Sequence, residues 1–161
     1  MEELPMAALK TARTHVSTKP PATGERAALL IVTLMLVGRA MTLAYIGAAG
    51  GAAEGDRPNA WLMPLIGDAV IGLLALPVAY LIVRVCGAAA WAAIGAWNVV
   101  GVWDALSGWL VNEKTPWPDF FMLEIFGESM FFAASTMHIA ALVLLFQPKV
   151  KHHFLANTNE A

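Results

Sequence analysis

The sequence predicts an all-α fold, a membrane-embedded antiparallel four-helix bundle with a flexible N-terminal tail, and three observations carry that expectation. Hydrophobic residues fill 58% of the 161 positions and charged ones only 14%. With a mean hydropathy of +0.63, this is far from the balance of a soluble domain. Four stretches reach the roughly 20 apolar residues that a helix needs to cross the hydrocarbon core. The links between them are short, which forces neighbouring spans antiparallel.

Residues 1–26, with Pro20, Pro21 and several hydroxyls but few large apolar groups, read as a flexible cytoplasmic tail. The bundle is expected over 27–146. The first span, 27–48, ends in the glycine-rich run that begins at Gly47, and Asp56, Arg57, Pro58 and Asn59 make a polar turn. The second span, 61–84, contains Pro77, a candidate kink. A very short connection leads to the third, 88–111. The segment from Asn112 to Asp119 holds Pro116 and Pro118, which stop a helix, and Asp119, which can cap the next one. The fourth span is placed at 120–146, and 147–161 reads as a second cytoplasmic tail.

Basic residues set the expected orientation, because loops rich in Lys and Arg stay on the cytoplasmic side. Lys10, Arg13, Lys19, Arg26, Arg84, Lys149 and Lys151 fall on one side, against Arg57 and Lys114 on the other. Both termini are therefore expected inside, with Trp61, Trp109 and Trp117 at the outer interface and Trp91 at the inner one. The expected location is the inner, or plasma, membrane. An organellar presequence over 10–19 is opposed by Glu2 and Glu3, and the lone Cys86 says nothing about redox compartment.

Charges inside the apolar stretches are the main pointer to function, since an ionisable group at mid-membrane costs about 2.5 to 3.5 kcal/mol on insertion scales. They are Arg39, Asp68, Asp104, Glu124 and Glu128. At about 1.5 Å of rise per residue from the outer boundary, Asp68 and Asp104 lie about 10 Å deep, Glu124 about 6 Å, Glu128 about 12 Å and Arg39 about 13 Å. The five share a layer in the outer half, whereas His138 is expected in the inner half, away from them.

Helical phase adds faces to this layer. Glu124, Glu128, Phe131, Ser135 and His138 recur at steps of four and three on the fourth span, a stripe that must face protein. Asp68, Gly72, Ala75 and Ala79 form a small-residue face on the second, along which another backbone can come close. Gly101, Asp104 and Gly108 share a side of the third span with Trp97, and Asn98 joins through Gly101. Met35, Arg39, Thr42 and Ile46 are in register on the first.

Four carboxylates against one guanidinium leave a charge of −3, so some of the acids must be protonated, reach water or hold a cation. Groups whose surroundings push them apart in this way are candidate acid and base. Asp68, Asp104 and Glu128 are the candidate catalytic residues, with Arg39, Asn98, Glu124 and His138 as candidate ligand contacts. A structural reading stands beside this one, in which Arg39 pairs with one or two acids to fix helix register and shallow Glu124 snorkels to the headgroups. No Glu-x-x-His pair, Cys cluster, P-loop or dinucleotide fingerprint occurs. No metal, cofactor or nucleic acid is expected.

The run Ile66, Gly67, Asp68 continuing to Gly72, Leu73, Leu74 and Ala75, followed by Ala96 to Asp104 with Asn98 inside it, resembles a pattern in small bacterial four-span membrane proteins without an assigned activity. The resemblance covers the second and third spans; it implies a bundle and a joint importance of Asp68, Asn98 and Asp104. Besides the lipid bilayer, three kinds of partner follow from the polar layer. The first is a small hydrophobic or cationic ligand, bound or acted on by acid/base chemistry. The second is a larger membrane complex of which the chain is an accessory or assembly subunit. The third is a homo-oligomer acting as a proton- or cation-coupled transporter.

Overall fold

The computed structural model describes residues 24–46, 60–116 and 125–156. Helices account for the regular structure, and no strand occurs among these residues. The first helix, α1 (Gly24–Met35), tightens into a 3-10 segment (Leu36–Thr42) and regains α form to Ile46. It is followed by α2 (Leu62–Arg84), α3 (Ala88–Lys114), α4 (Ser129–Leu145) and a short α5 (Pro148–Leu155).

Among the described residues two helices are long and apolar enough to cross a membrane, Gly24–Ile46 and Leu62–Arg84, and α4 with α5 would make a third if the pair, bent by 67°, were one span. This marks a membrane protein. Helix α3 has the length, at 27 residues, but Asn98, Asp104 and its glycines dilute its hydropathy. The α2 helix runs on through Pro77.

Neighbours are antiparallel, as individual contacts show. Ala40 meets Gly72, while Arg26 at the other end of α1 bonds the carbonyls of Ile82 and Val83. Gly67 of α2 faces Asp104 of α3, and Trp97 Nε1 donates to Ile71 O over 3.3 Å. Gly101 faces His138 and Gly108 faces Phe131, which sets the α3–α4 register. The α3–α4 and α2–3-10 contacts are the most extensive.

Two apolar cores result. The larger, towards the ends where α1 begins and α2 stops, gathers Leu29, Ile71, Ala75, Ile82, Ile94, Trp97, Ala141 and Leu145 with Val150 and Phe154 of α5. The smaller, at the opposite end, is built on Trp61, Leu65 and Phe131. Large apolar side chains such as Ile31, Leu73, Tyr80, Val99, Trp103 and Val143 stand exposed around the outside, the surface that lipid rather than water would cover.

Within the second expected tail, Pro148–Leu155 is a packed helix. Pro148 occupies the first turn of α5, where its missing N–H costs nothing. Val150 and Phe154, four residues apart on one helix face, are fully buried in the larger core. Gly87, at a φ of 119°, turns α2 into α3 and donates its N–H to Phe154 O over 2.8 Å. Arg26, placed in the flexible tail by its sequence context, is likewise built in. Its Nε and Nη2 donate to Ile82 O and Val83 O, each at 2.8 Å, satisfying carbonyls in the last turn of α2. Its Nη1 faces His153 Nδ1 at 3.4 Å, and Lys149 pairs with Glu25 at 2.8 Å. The outer Trp assignment also shifts, because Trp61 is buried, with its indole N–H on Thr115 O at 2.7 Å. Trp117 and residues 1–23 and 157–161 lie outside the described residues.

Candidate functional site

Between the two cores lies a connected polar cluster contributed by the 3-10 segment, α2, α3 and α4. Arg39 is its hub. Its Nε donates to Asp68 Oδ1 over 2.5 Å, its Nη2 pairs with the same oxygen and donates to Asp104 Oδ2 over 2.6 Å, and its Nη1 reaches His138 Nε2 over 2.8 Å. Gly101 O is a further, longer acceptor for Nη1 at 3.3 Å.

Protonation on the α4 side follows from the donors. A guanidinium has only N–H donors and keeps its charge, so His138 Nε2 must accept and the ring proton must sit on Nδ1. Nδ1 lies 3.0 Å from Asn98 Oδ1, and the Asn98 amide nitrogen donates to Ile94 O over 2.9 Å, which fixes the amide's orientation. Each link dictates the next. His138 is thus a neutral imidazole, fully buried together with Asn98, with the edge of Trp97 packed at a centroid distance of 5.1 Å.

Three glycines make room for the cluster. A Cβ on Gly72 would strike the backbone of Arg39 and Ala40, so the small-residue face of α2 does admit another backbone. That approach sets Arg39 one turn from Asp68. A Cβ on Gly67 would collide with the Asp104 carboxylate, and one on Gly101 with the His138 ring, whose Nδ1 would lie at 2.6 Å. Thr42, one 3-10 turn beyond Arg39, ties the segment down through Oγ1, which donates to Arg39 O at 2.8 Å with Leu65 O as a longer acceptor at 3.2 Å.

A pocket of about 390 Å³ opens beside this cluster, on the side of the smaller core. Arg39, Asp68 and Asp104 stand in its wall, and Leu36, Tyr45, Trp61, Leu65, Ala105, Phe131, Ala134 and Met137 supply most of the rest. It exists because the 3-10 segment leans onto α2 and leaves a gap towards α4. Met35 and Met41 on one side and Phe126 on the other line it while being more than half exposed, so its mouth is apolar and faces sideways. The Arg39 side chain is 9% exposed, those of Asp68 and Asp104 23% and 15%. The carboxylates, more than the guanidinium, are accessible from this space.

Five of the seven candidate residues come together: Arg39, Asp68, Asp104, Asn98 and His138. His138 is not remote from the layer as its depth implied. The fourth helix starts at Ser129 rather than at 120, so at about 1.5 Å per residue His138 lies about 13 Å from its outer end, level with Arg39. Glu128 does not belong. Gly127, with a φ of 56°, breaks the helix before Ser129, so Glu128 is not in phase with Phe131 and stays exposed, with Asn112 Nδ2 at 3.4 Å. Glu124 lies outside the described residues. Sequence reasoning missed Trp61 and Tyr45 as pocket walls and Gly67 as the cradle of Asp104, although Gly67 stands in the run that carries the family resemblance.

No group of three or more metal-binding side chains occurs among the described residues. Comparison with protein-family models, with curated proteins and with solved structures returned no match. The functional reading rests on the cluster and its pocket.

Proposed function

We propose that this is a four-span membrane protein, with both termini on the cytoplasmic side, whose outer-half pocket binds a small, largely apolar molecule by a polar group set against Asp68, Asp104 and Arg39. One observation carries the reading: a cavity of about 390 Å³, apolar over most of its wall, has three ionisable side chains at a single place in it. Ligand sites combine an apolar body with a few convergent polar groups in this way, in volumes of about 300 to 1,000 Å³. Ionisable groups inside a membrane are costly unless they pair or serve a function, and here they do both. Arg39 engages one oxygen of each carboxylate, and both aspartates also line the pocket. The same arrangement suits proton transfer to or from the bound group.

Helices α3 and α4 complete the four spans in this reading. The buried face of α3 carries Trp97, Asn98, Gly101, Ala105 and Gly108, while Val99, Val100, Trp103 and Leu110 point outward to lipid. The basic residues near the spans support cytoplasmic termini, and a periplasmically active reporter fused after residue 161 should then be silent. The polar layer needs no partner protein to satisfy it, since Arg39 and His138 are paired within the chain. This weighs against an accessory subunit. The larger apolar core beyond the cluster weighs against a continuous transport path.

Scintillation proximity binding of tritiated decylamine, decanol and decanoate to the protein in maltoside micelles tests the reading. At least one probe should bind saturably and be lost in Ala134→Phe or Ala105→Leu, which fill the pocket. Saturable binding by none of the three, or equal binding by a folded pocket-filling variant, would overturn it.

A further inference from the structure

The pocket's charge count points to the head group that it takes. Arg39 is fixed as a cation and His138 as a neutral ring by their hydrogen bonds. Asp68 and Asp104, both ionised, would leave the cluster at −1, and among the described residues the other titratable group in the pocket wall is Tyr45. An uncompensated charge in a part-buried site demands a counter-charge, either a proton on one carboxyl or a ligand cation.

We propose that the pocket takes a membrane-dissolved primary alkylammonium, whose N–H donors meet Asp68 and Asp104, in exchange for one proton held by the two carboxyls when the pocket is empty. The alkyl chain lies along the apolar wall, and the sideways mouth between Met41 and Phe126 admits it from the lipid. One cation enters and one proton leaves, so the cluster stays neutral in both states. The proposal rests on the ligand-pocket reading and narrows it to one head group.

The test compares the same tritiated probes in the same micelles between pH 5 and 8, where decylammonium keeps its charge. Decylammonium should bind about tenfold or more tightly than decanol, the scale of one close charge pair. Its affinity should fall about tenfold per pH unit on the acid side, as one proton competes with one cation, while decanol binding stays flat. Asp68→Asn or Asp104→Asn, whichever folds, should abolish the pH dependence. Decanol binding as tightly as decylammonium, or decylammonium affinity independent of pH, would overturn the cation assignment while leaving the pocket in place. Loss of saturable binding for every probe would remove the pocket itself.

Discussion

Arg39 Nη1 donates to His138 Nε2 over 2.8 Å, joining the first described helix to the fourth through a neutral imidazole. The contact makes His138 a positioning residue for the guanidinium. With Asp68 and Asp104 on the other nitrogens, Arg39 is held from three helices at once, and its removal would leave two carboxylates facing each other.

Arg39→Ala should therefore be the most damaging single substitution in the cluster, a loss of about 3 to 5 kcal/mol for a broken buried pair. The part exposure of Asp68 places the expected cost towards the lower end. Glu128→Ala, at an exposed side chain, should fall within about 0.5 kcal/mol of the parent. Thermal melting in detergent with a folding-sensitive dye separates the two, and equal tolerance would contradict the placement of Arg39.

The glycines make a graded series. Gly72→Ala and Gly101→Ala put a methyl group into the Ala40 backbone and the His138 ring respectively, and each should cost about 1 to 3 kcal/mol as an overpacked contact. Gly38→Ala meets nothing within 4 Å and should be neutral or stabilising. Melting curves that rank Gly38→Ala below Gly72→Ala would show that the 3-10 segment does not lie against α2.

At the other end of the molecule, Phe154→Ala empties a fully buried site in the larger core and should cost about 3 to 5 kcal/mol. A cytoplasmic tail at 147–161 would make the same change silent. Limited proteolysis provides a second readout, with cleavage after Lys149 and Lys151 slow in the parent and fast in the variant.

His153, outside the spans, titrates below its ordinary value of 6.5, first because burial disfavours the charged ring and second because Arg26 faces it. A lowered folded value means that the unfolded chain binds the proton more readily. Stability should accordingly be full above 6.5 and decline as the pH falls from there towards the lowered value. The melting temperature between pH 7.5 and 5 should show this slope, and His153→Gln should flatten it.

Much of the site was legible because charge inside an apolar stretch has few explanations. Arg39, Asp68 and Asp104 stood out on cost alone, and the small face at Gly72 marked where a backbone could approach. His138 was on the right stripe, but its depth was counted from position 120, whereas α4 starts at Ser129. Glu128 was assigned by extending a helical phase past Gly127, a residue whose positive φ stops the helix. Helix α5 escaped because two apolar residues, Val150 and Phe154, among lysines and histidines read as a solvated tail until a core exists to receive them. The pocket could not be read at all, since it arises from the lean of the 3-10 segment, a tertiary effect.

Solid-state NMR in lipid bilayers tests the central claim most directly, using protein with ¹⁵N-labelled arginine and a decyl probe, ammonium or alcohol, ¹³C-labelled at its first carbon. Dipolar transfer from the Arg39 guanidinium to that carbon should appear in the parent, vanish in Arg39→Lys and be lost in Ala134→Phe. A probe carbon that exchanges magnetisation with lipid alone, in a folded parent protein at saturating probe, would contradict the pocket as a binding site.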